Sequence, residues 1–138
     1  MRLSRQTKSD LLRGVPLFSR CSRKELAAIA QVADELDVPV GKELTVQGKP
    51  AREFFILLSG ASVVRRNCRK LRVLGPGEMI GEIALLTDGP RTATVTLTES
   101  SRVLVLAARD FRTLLRESPD LALKVLATVS ERLDTLPA

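Results

Sequence analysis

Between Glu35 and Leu106 no run of residues goes far before a glycine or a Gly-Pro corner stops it. Val40-Gly41, Gln47-Gly48-Lys49-Pro50, Ser59-Gly60, Gly75-Pro76-Gly77 and Gly89-Pro90 interrupt short apolar runs such as Phe54-Phe55-Ile56-Leu57-Leu58. Segments this short suit strands of about four to eight residues better than amphipathic helices, which need roughly ten or more. Thr92-Ala93-Thr94-Val95-Thr96-Leu97-Thr98 alternates polar and apolar residues at period two, as a half-buried strand does. Many short strands with regular turns imply a sandwich, barrel or jelly roll, where closure or double layering protects the strand edges.

Helical signals stand on both sides of this region. Ser9-Asp10 before Leu11-Leu12 predicts a short first helix, ended by Gly14 and Pro16. Ser22 and Glu25 form a Ser-x-x-Glu capping box that opens a second helix, with Leu26, Ile29, Ala30 and Ala33 on one buried face. After the strands, Ala108-Arg109-Asp110 leads into Phe111 and Leu114-Leu115. Ser118-Pro119-Asp120 then restarts a helix, with serine as the cap and proline at the first position, where its missing N–H costs nothing. Ala122, Val125, Leu126, Val129 and Leu133 form an apolar stripe along it. The expected architecture is α+β, a jelly-roll-like antiparallel β-roll over about 35–107 between N-terminal helices over about 9–34 and C-terminal helices over about 109–135. The whole of 1–138 is expected to be one domain.

Composition removes several classes of function. No run of about 18 apolar residues predicts a transmembrane helix, and the basic start Met1-Arg2-Leu3-Ser4-Arg5 lacks the apolar core of a signal peptide. The expected location is therefore cytoplasmic. Cys21 and Cys68 have neither disulfide-framework nor metal-ligand spacing. Histidine is absent altogether, which removes His-ligated metal or haem and a serine–histidine triad. No enzyme activity, no metal and no cofactor are expected. The net charge of +6 favours anionic ligands or partners without choosing among them.

The chemistry gathers in Gly81-Glu82-Ile83-Ala84-Leu85-Leu86-Thr87-Asp88-Gly89-Pro90-Arg91-Thr92-Ala93-Thr94-Val95. A glycine before a helix-forming Ile-Ala-Leu-Leu run can present free backbone N–H groups to an anion. Arg91 adds a two-pronged donor suited to phosphate oxygens. Ionised Glu82 only accepts hydrogen bonds, so it calls for a hydroxyl or N–H donor on the ligand, though a first-turn acid also suits the helix dipole. Phosphate at one group and sugar hydroxyl at the other describe a nucleotide pocket.

This segment resembles the phosphate-binding cassette of cyclic-nucleotide-binding domains, G-E-[LI]-A-x(6)-R-[STA]-A-[STA]-V, at every specified position. Val15-Pro16-Leu17-Phe18 with Ser22-x-x-Glu25-Leu26, and the placement of Gly41, Gly48, Gly60, Gly75 and Gly77, extend the resemblance over nearly the whole chain. The resemblance implies a regulatory, non-catalytic module. In it the backbone at Gly81, Ile83, Ala84 and Ala93 approaches the cyclic phosphate, Arg91 pairs with that phosphate, and Glu82 takes the ribose 2′-hydroxyl. It implies cAMP as the first ligand and cGMP as the second, with the Thr92 hydroxyl placed to favour a guanine base. With no Trp or Tyr, a base cap falls to the last helix, where Leu126, Val129, Arg132 and Leu133 are the candidates; core packing or a dimer seam explains the apolar ones equally well.

Arg65-Arg66-Asn67-Cys68-Arg69-Lys70-Leu71-Arg72 carries five cations, at an expected hairpin between Ala61-Ser62-Val63-Val64 and Val73-Leu74. It reads as a solvated hairpin or, alternatively, as a docking patch for an acidic partner or anionic lipid in a module that no longer answers to ligand. Nucleic-acid binding is not expected, since no aromatic platform is interleaved and the chain stops at Leu136-Pro137-Ala138 without a helix-turn-helix. A gating domain of an ion channel fits the same plan. The effector that reads the signal is left unnamed, and a homodimer remains open.

Overall fold

Two antiparallel four-stranded sheets hold the centre of the chain, and helices formed by its two ends make up the rest. The computed structural model describes residues 2–134, apart from the side chains of Ile83 and of 132–134. The strands are β1 (Asp34–Val38), β2 (Glu43–Thr45), β3 (Glu53–Ser59), β4 (Ser62–Arg66), β5 (Arg69–Leu74), β6 (Met79–Ile80), β7 (Thr94–Leu97) and β8 (Ser101–Ala107). One sheet has the order β1-β8-β3-β6 and the other β2-β7-β4-β5. This is the α+β roll expected from the turn spacing.

Period two decides which side chains enter the core between the sheets. Phe55 and Leu57 of β3, Ile80 of β6 and Val103 and Val105 of β8 meet Leu74, Val95 and Leu97 from the other sheet. Each strand contributes alternate residues to this layer. The expected strand over 92–98 is shorter, because Thr92 and Ala93 lie in a bend and only Thr94–Leu97 joins the ladder.

The helices are α1 (Arg5–Arg13), α2 (Arg23–Val32), α3 (Ala108–Glu117) and α4 (Pro119–Asp134). The first helix begins four residues before the expected start at Ser9. Its cap is Ser4, whose Oγ accepts from the Thr7 N–H at 3.1 Å, and Ser9 is buried within it. The Ser22–Glu25 capping box is present in both directions, at 2.8 and 3.1 Å, and Leu26, Ile29, Ala30 and Ala33 are buried as expected. Ser118 Oγ accepts from the Leu121 N–H at 3.3 Å at the start of α4.

The stripe expected on α4 needs correction. Among the described residues of this helix Leu121, Val125 and Thr128 are buried, whereas Leu126 is exposed. Thr128 on that face meets Arg20, whose Nη1 lies 3.5 Å from Thr128 Oγ1, and α4 packs against the 3-10 turn Pro16–Phe18. Elsewhere in the same helical unit the Phe18 and Phe111 rings pack tilted by 45° with centroids 5.3 Å apart, and Lys124 Nζ donates to Glu25 Oε1 at 2.7 Å. By contact the chain forms this helical unit, up to Ala33 and from Arg109 onward, and a β unit, Asp34–Ala108.

Candidate nucleotide site

The site begins with the way the chain returns after the Gly89-Pro90 corner. Arg91 donates its N–H to the Lys49 carbonyl at 2.8 Å, and its own carbonyl accepts from the Gly48 N–H at 2.9 Å. The segment before β3 thus clamps the residue on both sides. Two residues on, Thr45 Oγ1 donates to the Ala93 carbonyl at 3.0 Å and accepts from the Val95 N–H at 3.1 Å. This buried hydroxyl sets the register of the chain from Ala93 into β7.

Arg91 itself is half-buried. Its Nη2 donates to the Glu53 carbonyl at 2.5 Å, and its Nη1 lies against the backbone of Gly81. Gly81 has φ +76°, and a Cβ there would sit 2.1 Å from that nitrogen. Only glycine lets the guanidinium and this stretch of backbone share the same space. Burial draws the Arg91 pKa below the ordinary guanidinium value, opposed by the charge of Glu53. A guanidinium remains protonated under all physiological conditions, so the cleft holds a fixed positive charge that is partly stripped of water.

Glu82, Ile83, Ala84 and Leu85 form a single 3-10 turn, shorter than the helix expected from their sequence. The Ala84 N–H donates to the Gly81 carbonyl at 3.0 Å, which tightens the turn, and Ala84 and Leu85 are fully buried. Glu82 is half-exposed and follows Gly81 directly.

A cleft of about 340 Å³ opens here, within the volume that small-ligand sites occupy. Gly81, Arg91, Thr92 and Ala93 line it together, so four of the expected residues converge. Thr92 is exposed at its edge. Among the cap candidates, Val129 is half-buried and Leu126 exposed on α4, while the side chains of Arg132 and Leu133 lie outside the described residues.

Other lining residues were missed in the sequence. Thr45 carries no motif. Arg66, Leu71 and Arg72 belong to the basic segment read as solvated, yet they line the cleft beside Val64. The hairpin is also tighter than expected, with a two-residue turn at Asn67-Cys68 between β4 and β5. Period two was the available signal: Ser62, Val64 and Arg66 share one face of β4, and that face continues from the core into the cleft.

The pattern of the cyclic nucleotide-binding domain matches residues 35–118, more than half of the chain. The chain belongs to this family. It is 34% identical to a cyclic nucleotide-gated potassium channel of Mesorhizobium japonicum, a match covering 89% of this chain and 34% of the channel. It is 30% identical to the cyclic AMP receptor protein of Thermus thermophilus, over 88% of this chain and 59% of the receptor. Among solved structures, the N-terminal domain of a transcriptional regulator from Streptomyces coelicolor superposes with a TM-score of 0.81 at 30% identity, covering 94% of this chain and 99% of that one. The chain thus spans between about a third and three fifths of the length of these two relatives. Those relatives are named as a channel and a receptor protein. Among the described residues no group of Cys, Asp or Glu side chains is arranged to hold a metal, and no helix is long and apolar enough to cross a membrane.

Proposed function

We propose that this chain is a cytoplasmic regulatory module that binds a cyclic nucleotide, cAMP ahead of cGMP, in the roll cleft and passes the event on through movement of α4. The observation that carries the reading is the close packing of Arg91 on the Gly81 backbone at the wall of a cleft of nucleotide size. A half-desolvated cation beside open backbone is suited to an anion that brings several acceptor oxygens. In this reading Arg91 pairs with the cyclic phosphate, the backbone at Gly81, Ile83, Ala84 and Ala93 borders it, and Glu82 accepts from the ribose 2′-hydroxyl.

Thr92 lines the cleft and is exposed; in this reading its hydroxyl favours guanine, and Val129, Arg132 and Leu133 cap the base. The helical and β units act as one module when ligand contacts differ between two positions of α4 and so shift their populations. Two cations of the basic hairpin lie in this cleft, which favours a ligand-binding role for that hairpin over a separate docking patch.

The ribose assignment has its own test. Binding of cAMP and 2′-deoxy-cAMP is measured on wild type and Glu82→Gln. If Glu82 holds the 2′-hydroxyl, each change alone weakens binding, and the two together weaken it no further than one. Fully additive losses would show that Glu82 acts elsewhere.

A further inference from the structure

The cleft holds more positive charge than one cyclic phosphate can use. A cyclic mononucleotide carries a single negative charge, and Arg91 answers it. The β4–β5 hairpin nevertheless sends Arg66 and Arg72 to the same cleft. Arg72 is neutralised, since its Nη2 meets Glu78 Oε2 at 2.6 Å. Arg66 is not: its Nε donates to the Thr92 carbonyl at 3.1 Å, and no carboxylate pairs with it among the described residues.

Register adds a second cation. Arg69 stands directly across from Arg66 in the ladder, so the two share one face of the hairpin. Arg65 and Lys70 are opposed in the same way on the other face. Like charges directly opposite each other weaken a ladder, so this hairpin carries a penalty that an anion on either face would relieve.

The hairpin tip is held where such relief serves the cleft. Asn67 and Cys68, at φ 52° and 65°, make a two-residue turn of the type that fits strand twist. The Gln47 side chain donates to Asn67 Oδ1 at 2.8 Å and accepts the Asn67 N–H at 2.9 Å. The Gln47 N–H in turn donates to Thr94 Oγ1 at 2.9 Å. These bonds tie the tip to the chain that follows Arg91, and Arg66 is anchored at a carbonyl one residue from Arg91 itself.

We infer that Arg66 and Arg69 form a second anion subsite at the mouth of the cleft, and that this chain's ligands include nucleotides with a second phosphate, such as cyclic dinucleotides. The inference rests on the proposed nucleotide reading, with Arg91 serving the first phosphate. Both hairpin arginines are exposed, so the second phosphate sits at the rim and the second nucleoside extends into solvent.

Cyclic di-AMP and cAMP share a base and differ in phosphate number, which makes them the probes. Their dissociation constants are measured by calorimetry on wild type, Arg66→Gln/Arg69→Gln and Arg91→Gln, with circular dichroism confirming that each is folded. The hairpin variant is expected to weaken cyclic di-AMP about tenfold more than it weakens cAMP, and to keep or raise the melting temperature. Arg91→Gln is expected to weaken both. Equal weakening of both nucleotides in the hairpin variant would mean that the cations only draw anions in, and would overturn the second subsite. Normal cAMP binding with cyclic di-AMP indifferent to the hairpin would overturn it too, leaving the cyclic-nucleotide reading intact. If neither nucleotide binds wild type, that reading fails and the inference goes with it.

Discussion

Replacing Gly81 with alanine separates the folding role of this position from its binding role. The backbone there has φ +76°, and the new Cβ would lie 2.1 Å from Arg91 Nη1, 3.3 Å from its Cζ and 3.5 Å from the Glu53 carbonyl oxygen. The severe clash is with the far end of a flexible side chain, so the guanidinium moves aside and the fold survives. What the fold loses is the left-handed backbone penalty, about 1–2 kcal/mol for a residue with a Cβ. Binding loses more, because the displaced Arg91 no longer aims at the phosphate. A charge-assisted hydrogen bond contributes about 1.5–3 kcal/mol, which corresponds to roughly ten- to a hundredfold in dissociation constant. Gly60→Ala is the control. At φ +95° its Cβ would meet Ser101 Oγ at 2.1 Å and the Ser101 Cα at 2.9 Å, so β8 backbone must shift at a residue that does not line the cleft. Urea unfolding and cAMP titration of both variants make the assay. Gly81→Ala is expected to lose a modest amount of stability and most of its affinity, and Gly60→Ala to lose more stability while cAMP affinity stays near wild type. If Gly81→Ala binds cAMP like wild type, the Gly81–Arg91 contact does not shape the site and the reasoning is refuted.

Two further predictions concern the helical unit. Burial alone would raise the Glu25 pKa, but hydrogen bonds from Lys124 and Ser22 outweigh it and hold the carboxyl below its ordinary 4.5. A depressed folded pKa means stabilisation that is present above about pH 4.5 and lost as pH falls through the folded value. Glu25→Gln keeps an oxygen for the Ser22 N–H and removes the charge, so wild type and variant should differ in urea midpoint near neutrality and converge in acid; a constant gap would contradict the ion pair. Cys21 is pushed up to about 11, chiefly by burial and then by the charge of Glu25, whereas Cys68 is exposed at the hairpin tip. Thiol-specific reagent near pH 8 should modify Cys68 quickly and Cys21 slowly, and equal rates by mass spectrometry would contradict that burial.

The cassette was legible because it lies in a short stretch of chain with strict spacing, and the turn glycines exposed the strands between them. Ser22 and Ser118 marked their helices because a cap is a local bond. Ser9 misled for the same reason: the sequence offers two serines, and only burial of Ser9 inside α1 shows that Ser4 is the cap. The α4 stripe was misread because several apolar positions compete, and packing against elements remote in sequence, which residue types do not record, buries Leu121 and Val125 and leaves Leu126 exposed. Thr45, Arg66 and Arg72 enter the cleft through strand pairing across sheet neighbours. Residue types alone record no such pairing, so the sequence showed the exposed basic hairpin but not that Arg66 and Arg72 border the cleft.

The most direct test of the account is calorimetric titration of cAMP into folded, nucleotide-free protein, beside Arg91→Ala. Saturable one-to-one binding is expected in wild type, weakened by about a hundredfold in the variant, while both retain the same β-rich circular dichroism. Absence of binding in wild type, for cGMP as well as cAMP, or equal affinity in Arg91→Ala, would contradict the claim that this cleft reads a cyclic phosphate.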